Sequence, residues 1–299
     1  MVCERCEALA NTLHDIQTKA TTAQFSNVDD RDEVAYVVKS SKFAIESWQS
    51  HILRCVNQDQ ARIDVLELLD DDTILVINDW AMKFIPQKYR ESQADWYGKR
   101  GISWHISVVY YRIDKVIHWQ AFINVIESCT QDSYAVVSII QDVLATVKRE
   151  YPQINKAYFR QDNAGCYHSA YTILACPAIA KSVGIKIVRI DFSDPQGGKG
   201  AADRLAATCK AHIRAYINEG NDVTTAENMK DALQSSGGIQ GVRVVAMQAI
   251  NSPLSEQGKI PGINKLNNFK FDGNKITAWR AYGIGKGKEI EVEYQQKGK

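Results

Sequence analysis

The chain lacks any apolar run approaching the length of a membrane-spanning helix, and its first residues, MVCERCE, lack the apolar core that a secretory signal needs. It has almost no net charge, +1 over 299 residues, so nothing in its overall electrostatics marks a nucleic-acid binder. Any such partner must be held by a local patch. No internal repeat and no low-complexity tract is present, and with 45% hydrophobic and 24% charged residues the composition is neither disordered nor fibrous. The seven cysteines, at 3, 6, 55, 129, 166, 176 and 209, form no disulfide framework. Scattered and odd in number, they read as free thiols in a reducing compartment, and the expectation is an intracellular protein with no membrane partner. The length suffices for a full core, as one large domain or two to three smaller ones.

Three motifs are present only in part. Cys3-x-x-Cys6 supplies half of a zinc knuckle, and His14 is a third candidate ligand, but no fourth follows at finger spacing. Zinc at Cys3 and Cys6 is therefore not expected, and the chain reads as starting partway through a longer ancestral protein. GGKG at 197–200, ahead of a helix, offers backbone N–H groups to an anion, but the GxxxxGK(S/T) spacing of a Walker loop is missing. A flexible turn that lets the helix approach its sheet is the simpler reading. Cys166-x-His168 lacks the oxyanion features and the ordered third partner of a thiol hydrolase. Either the pair packs within a helix or His168 serves as an auxiliary metal or phosphate group.

Residues 1–70 read as a helical region. Val34, Val37, Val38 and, after a break, Phe43, Ile45, Trp48, Ile52 and Leu53 fall at roughly helical spacing, a stripe that predicts core packing. Residues 71–220 carry a regular alternation. TILVINDW at 73–80 is a short β-branched run ending on an acid, Asp79. Strands over 101–112 and 116–126 follow, joined by a hairpin-length turn, then an amphipathic helix over 133–151 stopped with the help of Pro152. KAYFRQDN at 156–163 is another strand ending on an acid, Asp162. A helix over about 164–182 interrupted near Pro177, a strand over 185–192 and a helix over about 200–219 carrying Asp203 complete the order βββαβαβα. Residues 221–299 read as a separate, small α+β region: a threonine-capped helix, a strand over 242–248 and a hairpin turning at Asp272-Gly273. It is also basic, with nine Lys or Arg against five acids from 256 onwards, as suits a solvated surface or a DNA contact.

Asp162 before Asn-Ala-Gly could cap the next helix, and Asp203 in a first helical turn is favoured by the macrodipole. Asp79 has no such local role. An acid closing so apolar a strand must be solvated, paired or metal-bound.

This order of elements, with NDWAMKF, RQDNAGCYH and GGKGAADR carrying the three acids, resembles the ribonuclease H-like core of cut-and-paste transposases and retroviral integrases. The wording of those stretches is similar to a group of transposon-derived animal proteins. The resemblance covers about 71–220 and implies an α/β fold, a mixed five-stranded sheet flanked by helices. It implies a DDE/DDD-type metal-dependent DNA endonuclease and strand-transferase in the nucleus, with DNA as partner and a homo-oligomer allowed. It also implies two Mg²⁺ or Mn²⁺ ions roughly 3.5–4 Å apart, which hard carboxylate oxygens suit. Asp79, Asp162 and Asp203 fall on the catalytic, metal-holding acids. The third acid is usually Glu. Glu219 is the weaker candidate, about 24 Å along the helix from Asp203. Ribonucleases and exonucleases of this fold use four acids, the exonucleases with Asp-x-Glu on the first strand; here Ala81 stands two after Asp79.

The insert of some twenty residues after Asp79 interleaves Lys83, Lys88, Arg90, Lys99 and Arg100 with Phe84, Tyr89, Trp96 and Tyr97. Either it grips phosphates and stacks on unpaired bases, or it folds on the core with its aromatics buried. Lys199 and Arg204 add positive charge near the third acid. Two rivals stand beside the nuclease: a domesticated, catalytically silent nucleic-acid-binding or interaction protein, and a plain structural domain with dispersed acids.

Overall fold

The structure is a computed structural model, and it describes residues 3–194, 200–247, 258–273 and 275–291. The chain divides into two compact units, Met1–Val56 and Asn57–Lys299. Among the described residues no helix is long and apolar enough to cross a membrane.

The first unit holds α1 (Glu4–Thr22) and most of α2 (Val28–Leu68). Acids in the first turn of α1 and Lys19 in its last suit the helix dipole. Lys42 of α2 donates to Gln17 of α1 at 2.9 Å. The expected core stripe is not a core here. Phe43 is 72% and Trp48 66% exposed, Val34, Val37, Ile52 and Leu53 are exposed too, and Leu13 is the one buried apolar side chain of this unit among the described residues. Helical periodicity reports that apolar groups share a face; it does not report that anything covers that face.

In the second unit, β1 (Thr73–Trp80) lies at the centre of a mixed sheet. After the short α3 (Gln93–Trp96) come β2 (Ser103–Ile113), antiparallel to β1, and β3 (Val116–Ile126), antiparallel to β2. Asp114 and Lys115 both have positive φ, as a two-residue hairpin turn with the favoured twist requires. After α4 (Ser133–Glu150), β4 (Lys156–Gln161) runs parallel to β1, and after α5 (Ala170–Val183), β5 (Lys186–Phe192) runs parallel to β4. The helix expected from 164 with a break at Pro177 instead begins at Ala170, capped by the Ser169 hydroxyl on the Thr172 N–H, and runs through the proline. Then come α6 (Ala201–Asn218) and α7 (Ala226–Gln234).

The sheet has nine strands rather than the expected five. β6 (Val242–Ala246) adds in parallel to the outer edge of β3, and β7 (Asn268–Asp272), β8 (Lys275–Trp279) and β9 (Lys288–Glu291) continue from β5, giving the order β6-β3-β2-β1-β4-β5-β7-β8-β9. The strands expected in a separate C-terminal region thus belong to the central sheet. Both edges of a five-stranded sheet present unpaired backbone groups, and these strands satisfy them. Local patterning identifies a strand but not the edge it joins.

Alternation along the strands sorts the two faces. Ile74 and Val76 of β1 and Val109 of β2 pack with Val136, Ile140, Leu144 and Ile173 of α4 and α5. Ile77 of β1 and Ile106 and Val108 of β2 pack with Leu205, Cys209 and Ile213 of α6 and with Met229 of α7. Each helix pair covers one face, and Asp79, in step with Ile77, belongs to the α6 side.

Candidate metal centre

Asp79 is fixed by the ladder. It stands opposite Ile106 of β2, and on its other side Asn78 pairs with Gln161 of the parallel strand β4, so Asp162 emerges next to it at the same end of the sheet. Asp162 Oδ1 accepts from the Ala164 N–H at 3.1 Å, which aims the turn after β4. Asp203 lies in the first turn of α6, and its Oδ2 accepts from the Gly200 N–H at 2.9 Å. The helix geometry thus brings a third carboxylate over the same strand ends. Asp79, Asp162 and Asp203 line one cavity of about 370 Å³. Glu219 is the C-cap at the far end of α6 and does not line it.

Burial first, and then repulsion from Asp162 and Asp203, push the Asp79 carboxyl up to about 7. Burial also raises Asp162. A carboxyl held at such a pKa by burial and then by like charges is one that a cation would stabilise, and carboxylate oxygens are the donors a hard divalent ion prefers. The cavity wall also carries Asp59, Arg62, Arg160 and Arg204. Arg62 donates to Asp59 at 3.0 Å, and Arg160 donates to the Gln58 carbonyl and lies 3.9 Å from Asp59. This pairing holds Asp59 below the usual carboxylate range, chiefly through the Arg62 hydrogen bond. Sequence reasoning missed Asp59 and Arg62 because nothing local says that the last turns of α2 reach the sheet.

The other candidate residues separate from this centre. In the insert, Lys83 donates to the Cys129 carbonyl at 3.3 Å, Lys88 pairs with Asp95 at 2.7 Å, and Lys99 pairs with Glu91 while sitting 5.2 Å over the Trp96 ring. Arg90 lies over Tyr89, and Arg100 is exposed. The aromatics divide: Phe84 packs half-buried against the α6-side core, whereas Trp96 is 67% exposed, and Tyr89 and Tyr97 are exposed as well. None of these cations lines the acid cavity, whereas Arg204 does. Lys199 lies outside the described residues. His168 is a tie within the core, its Nε2 2.7 Å from the Leu266 carbonyl and its ring against Phe192, with its pKa lowered by burial. Cys166 is pushed up to about 11 by burial and then by Asp162, so it stays a thiol. Cys3 and Cys6 are exposed at the start of α1, with His14 about 12 Å further along the helix axis from Cys6.

Residues 58–278, which include all three acids and the Asp59 wall, match the family described as "Domain of unknown function (DUF8701)". The chain belongs to that family. No curated protein matches the sequence of this DUF8701 chain. Among solved structures it is similar to a Mos1 transposase paired-end complex with left transposon end, at 11% identity and a TM-score of 0.29, covering 60% of this chain and 52% of that one. It is also similar to a Mos1 mariner paired-end complex with Mn, at 9% identity and a TM-score of 0.28, covering 60% and 57%. A pre-cleavage Mos1 transpososome gives 11% identity and 0.27, covering 62% of each chain. The DUF8701 chain spans between half and two thirds of the solved chains it matches. TM-scores this low do not establish a common fold, and the site must be read from its own geometry.

Proposed function

We propose that this chain is a metal-dependent DNA endonuclease and strand-transferase of the transposase and integrase type, built on a ribonuclease H-like core. The observation that carries the reading is the Asp79 carboxyl, closing an apolar strand in a cavity it shares with Asp162 and Asp203 and raised to about 7 by burial and by both of them. The order β3-β2-β1-β4-β5, with three antiparallel strands followed by two parallel ones each reached through a helix, supports it.

The residues present fit a divalent cation. Asp79, Asp162 and Asp203 would hold Mg²⁺ or Mn²⁺, which when bound supplies Lewis acidity and a water of lowered pKa for phosphodiester chemistry. The chain's own residues do the rest. Asp203 has one oxygen engaged by Gly200 and the other free for the cavity, so the helix cap fixes the carboxylate while leaving it a ligand. Arg204, exposed on the same wall, places a positive charge where a phosphate would enter. The paired Asp59, Arg62 and Arg160 line the same cavity without adding a free negative charge.

The test is Mn²⁺ binding by calorimetry on the intact chain and on Asp79→Asn, run beside nicking of a supercoiled plasmid. Metal-dependent nicking that the substitution abolishes is the expected result. A folded chain with neither metal uptake nor nicking would replace this reading with the catalytically silent binding protein, which the internal pairing of Lys88 and Lys99 favours.

A further inference from the structure

A second cavity of about 310 Å³ adjoins the acid cavity and shares Tyr110, Ala201 and Arg204 with it. Its floor is the sheet, Val108 and Tyr110 of β2 and Trp119 of β3, and its wall is the first two turns of α6. Tyr110 and Trp119 are directly opposite each other across the β2–β3 ladder. Cross-strand partners on one face have Cβ atoms roughly 5 Å apart, so the two rings form one continuous ledge. Tyr110 pairs on its other side with Leu75, four residues before Asp79 on β1. At about 3.3 Å per residue the ledge begins roughly 13 Å from the carboxylates, along a groove with Arg204 on its wall.

The Trp119 ring is held rather than loose. A Cβ added at Gly241 would meet it at 3.3 Å, and the Gly241 carbonyl is fixed by the Ala121 N–H at 2.8 Å. Gly241 has φ +74, so only glycine lets the chain back the ring this closely without strain. Trp119 is nevertheless 47% exposed. A large aromatic that is fixed from behind and open in front, at the end of a groove that carries Arg204, a cation with no ion-pair partner among the described residues, and that leads to a carboxylate centre, fits a flat apolar ligand with an attached anion.

From this the geometry points to a nucleobase platform: Trp119 and Tyr110 stack an unpaired base of a nucleic-acid strand, Arg204 holds a phosphate next to it, and the strand continues to the carboxylates. The inference rests on the reading of the acids as the place where a phosphate reacts. At 13 Å the platform takes a neighbour of the reacting nucleotide and not that nucleotide itself. It reads the face of a base, which every base has, and so confers strand binding with little sequence preference. DNA and RNA share that face.

The test uses fluorescein-labelled dT12, rU12 and an abasic dT12 analogue, with anisotropy measured in Ca²⁺ buffer on the full chain. Trp119→Ala is expected to weaken dT12 or rU12 about tenfold, within the range base stacking supplies, while Trp119→Phe keeps most of the affinity and the abasic probe binds both alike. Whichever strand loses affinity names the source of the base. Arg204→Gln is expected to weaken all three probes and to lower the salt slope by about one. Unchanged dT12 and rU12 binding by a folded Trp119→Ala would overturn the platform, as would an equal loss on the abasic probe or no binding of either strand by the wild type. The nuclease reading fails separately: plasmid nicking absent from the wild type, with the Trp119 effect intact, would remove that reading and leave the platform standing.

Discussion

α4 and α6 are helices of equal length, eighteen residues each, lying on opposite faces of one sheet, α4 capped by Asp132 and α6 carrying Asp203 in its first turn. α4 buries ten residues and α6 five. The α4 face is the more deeply buried of the two, and on it one titratable group is driven neutral by burial alone. His105, fully buried on that side against Trp80 and Tyr167, is pushed down to about 3 by desolvation and nothing else. On the α6 face Asp79 is less buried, yet it is raised by burial and by two other carboxylates together. Burial by itself makes an inert group. Burial combined with like charge, at the rim of an open cavity, makes a group that gains from a cation.

The strongest way to break this comparison is at Asp79. Asp79→Asn removes the charge and keeps the shape, so it should abolish Mn²⁺ uptake and nicking while leaving the metal-free chain folded. Calorimetry, nicking and circular dichroism check the three parts. On the other face Leu144, fully buried under the sheet, should behave in the opposite way. Leu144→Ala should lower unfolding free energy by about 2–5 kcal/mol in denaturant titrations and leave nicking intact below its melting range. If Leu144→Ala abolished nicking without destabilising the chain, the division between a structural and a functional face would be wrong.

What could be read in advance follows the same division. β1 is a short apolar run and β4 a strand-like one, each with an acid at its end, and α6 opens with a turn residue and an acid, so Asp79, Asp162 and Asp203 stand out as candidates from local pattern and element order. The walls of the cavity could not. Asp59 and Arg62 come from the last turns of α2, some twenty residues before Asp79, and their arrival depends on tertiary packing. Trp119 is one more aromatic of the 116–126 strand in sequence, and only its register opposite Tyr110 makes it part of a ledge. The apolar face of α2 misled for the converse reason: Phe43 and Trp48 obey a helical period while lying exposed. Lys88 and Lys99 read as free cations, and their ion partners Asp95 and Glu91 lie within the same insert, where charge counting does not reveal pairing.

The two faces should also oppose each other in pH. Asp79 has a folded-state pKa of about 7 against 3.8 unfolded, so its contribution favours the fold below about pH 4 and is lost as pH rises through 7. His105, about 3 folded against 6.5 unfolded, favours the fold above about 6.5 and loses that contribution as pH falls. Between pH 4 and 6.5 the two slopes have opposite sign and offset each other. The Asp79→Asn chain should therefore lose stability as pH drops through this window more steeply than the wild type, approaching ~1.4 kcal/mol per pH unit for the one uncompensated proton on the fully buried His105. Saturating Mn²⁺ should give the wild type the same steeper dependence by keeping Asp79 ionised. Parallel curves for the two proteins, from chemical denaturation across the window, would show that the Asp79 carboxyl is not raised by burial and its neighbours.

The smallest effect sets Asp132 against Asp203. Asp132 is the N-cap of α4, with Oδ1 accepting from the Ala135 N–H at 3.0 Å, and Asp203 sits three residues inside the start of α6, accepting from Gly200. Both aspartates satisfy a backbone donor at a helix start. Only Asp203 also lines the acid cavity. Asp132→Ala should cost about 1 kcal/mol of stability, the usual worth of a cap, and leave Mn²⁺ affinity unchanged. Asp203→Asn keeps an oxygen that can accept from Gly200, so it should cost less stability than Asp132→Ala and yet weaken Mn²⁺ binding. Metal affinity that follows the loss of a cap in both variants would mean that Asp203 acts through helix order and not as a ligand. Loss confined to Asp203→Asn would place the difference between the two faces in a single carboxylate oxygen.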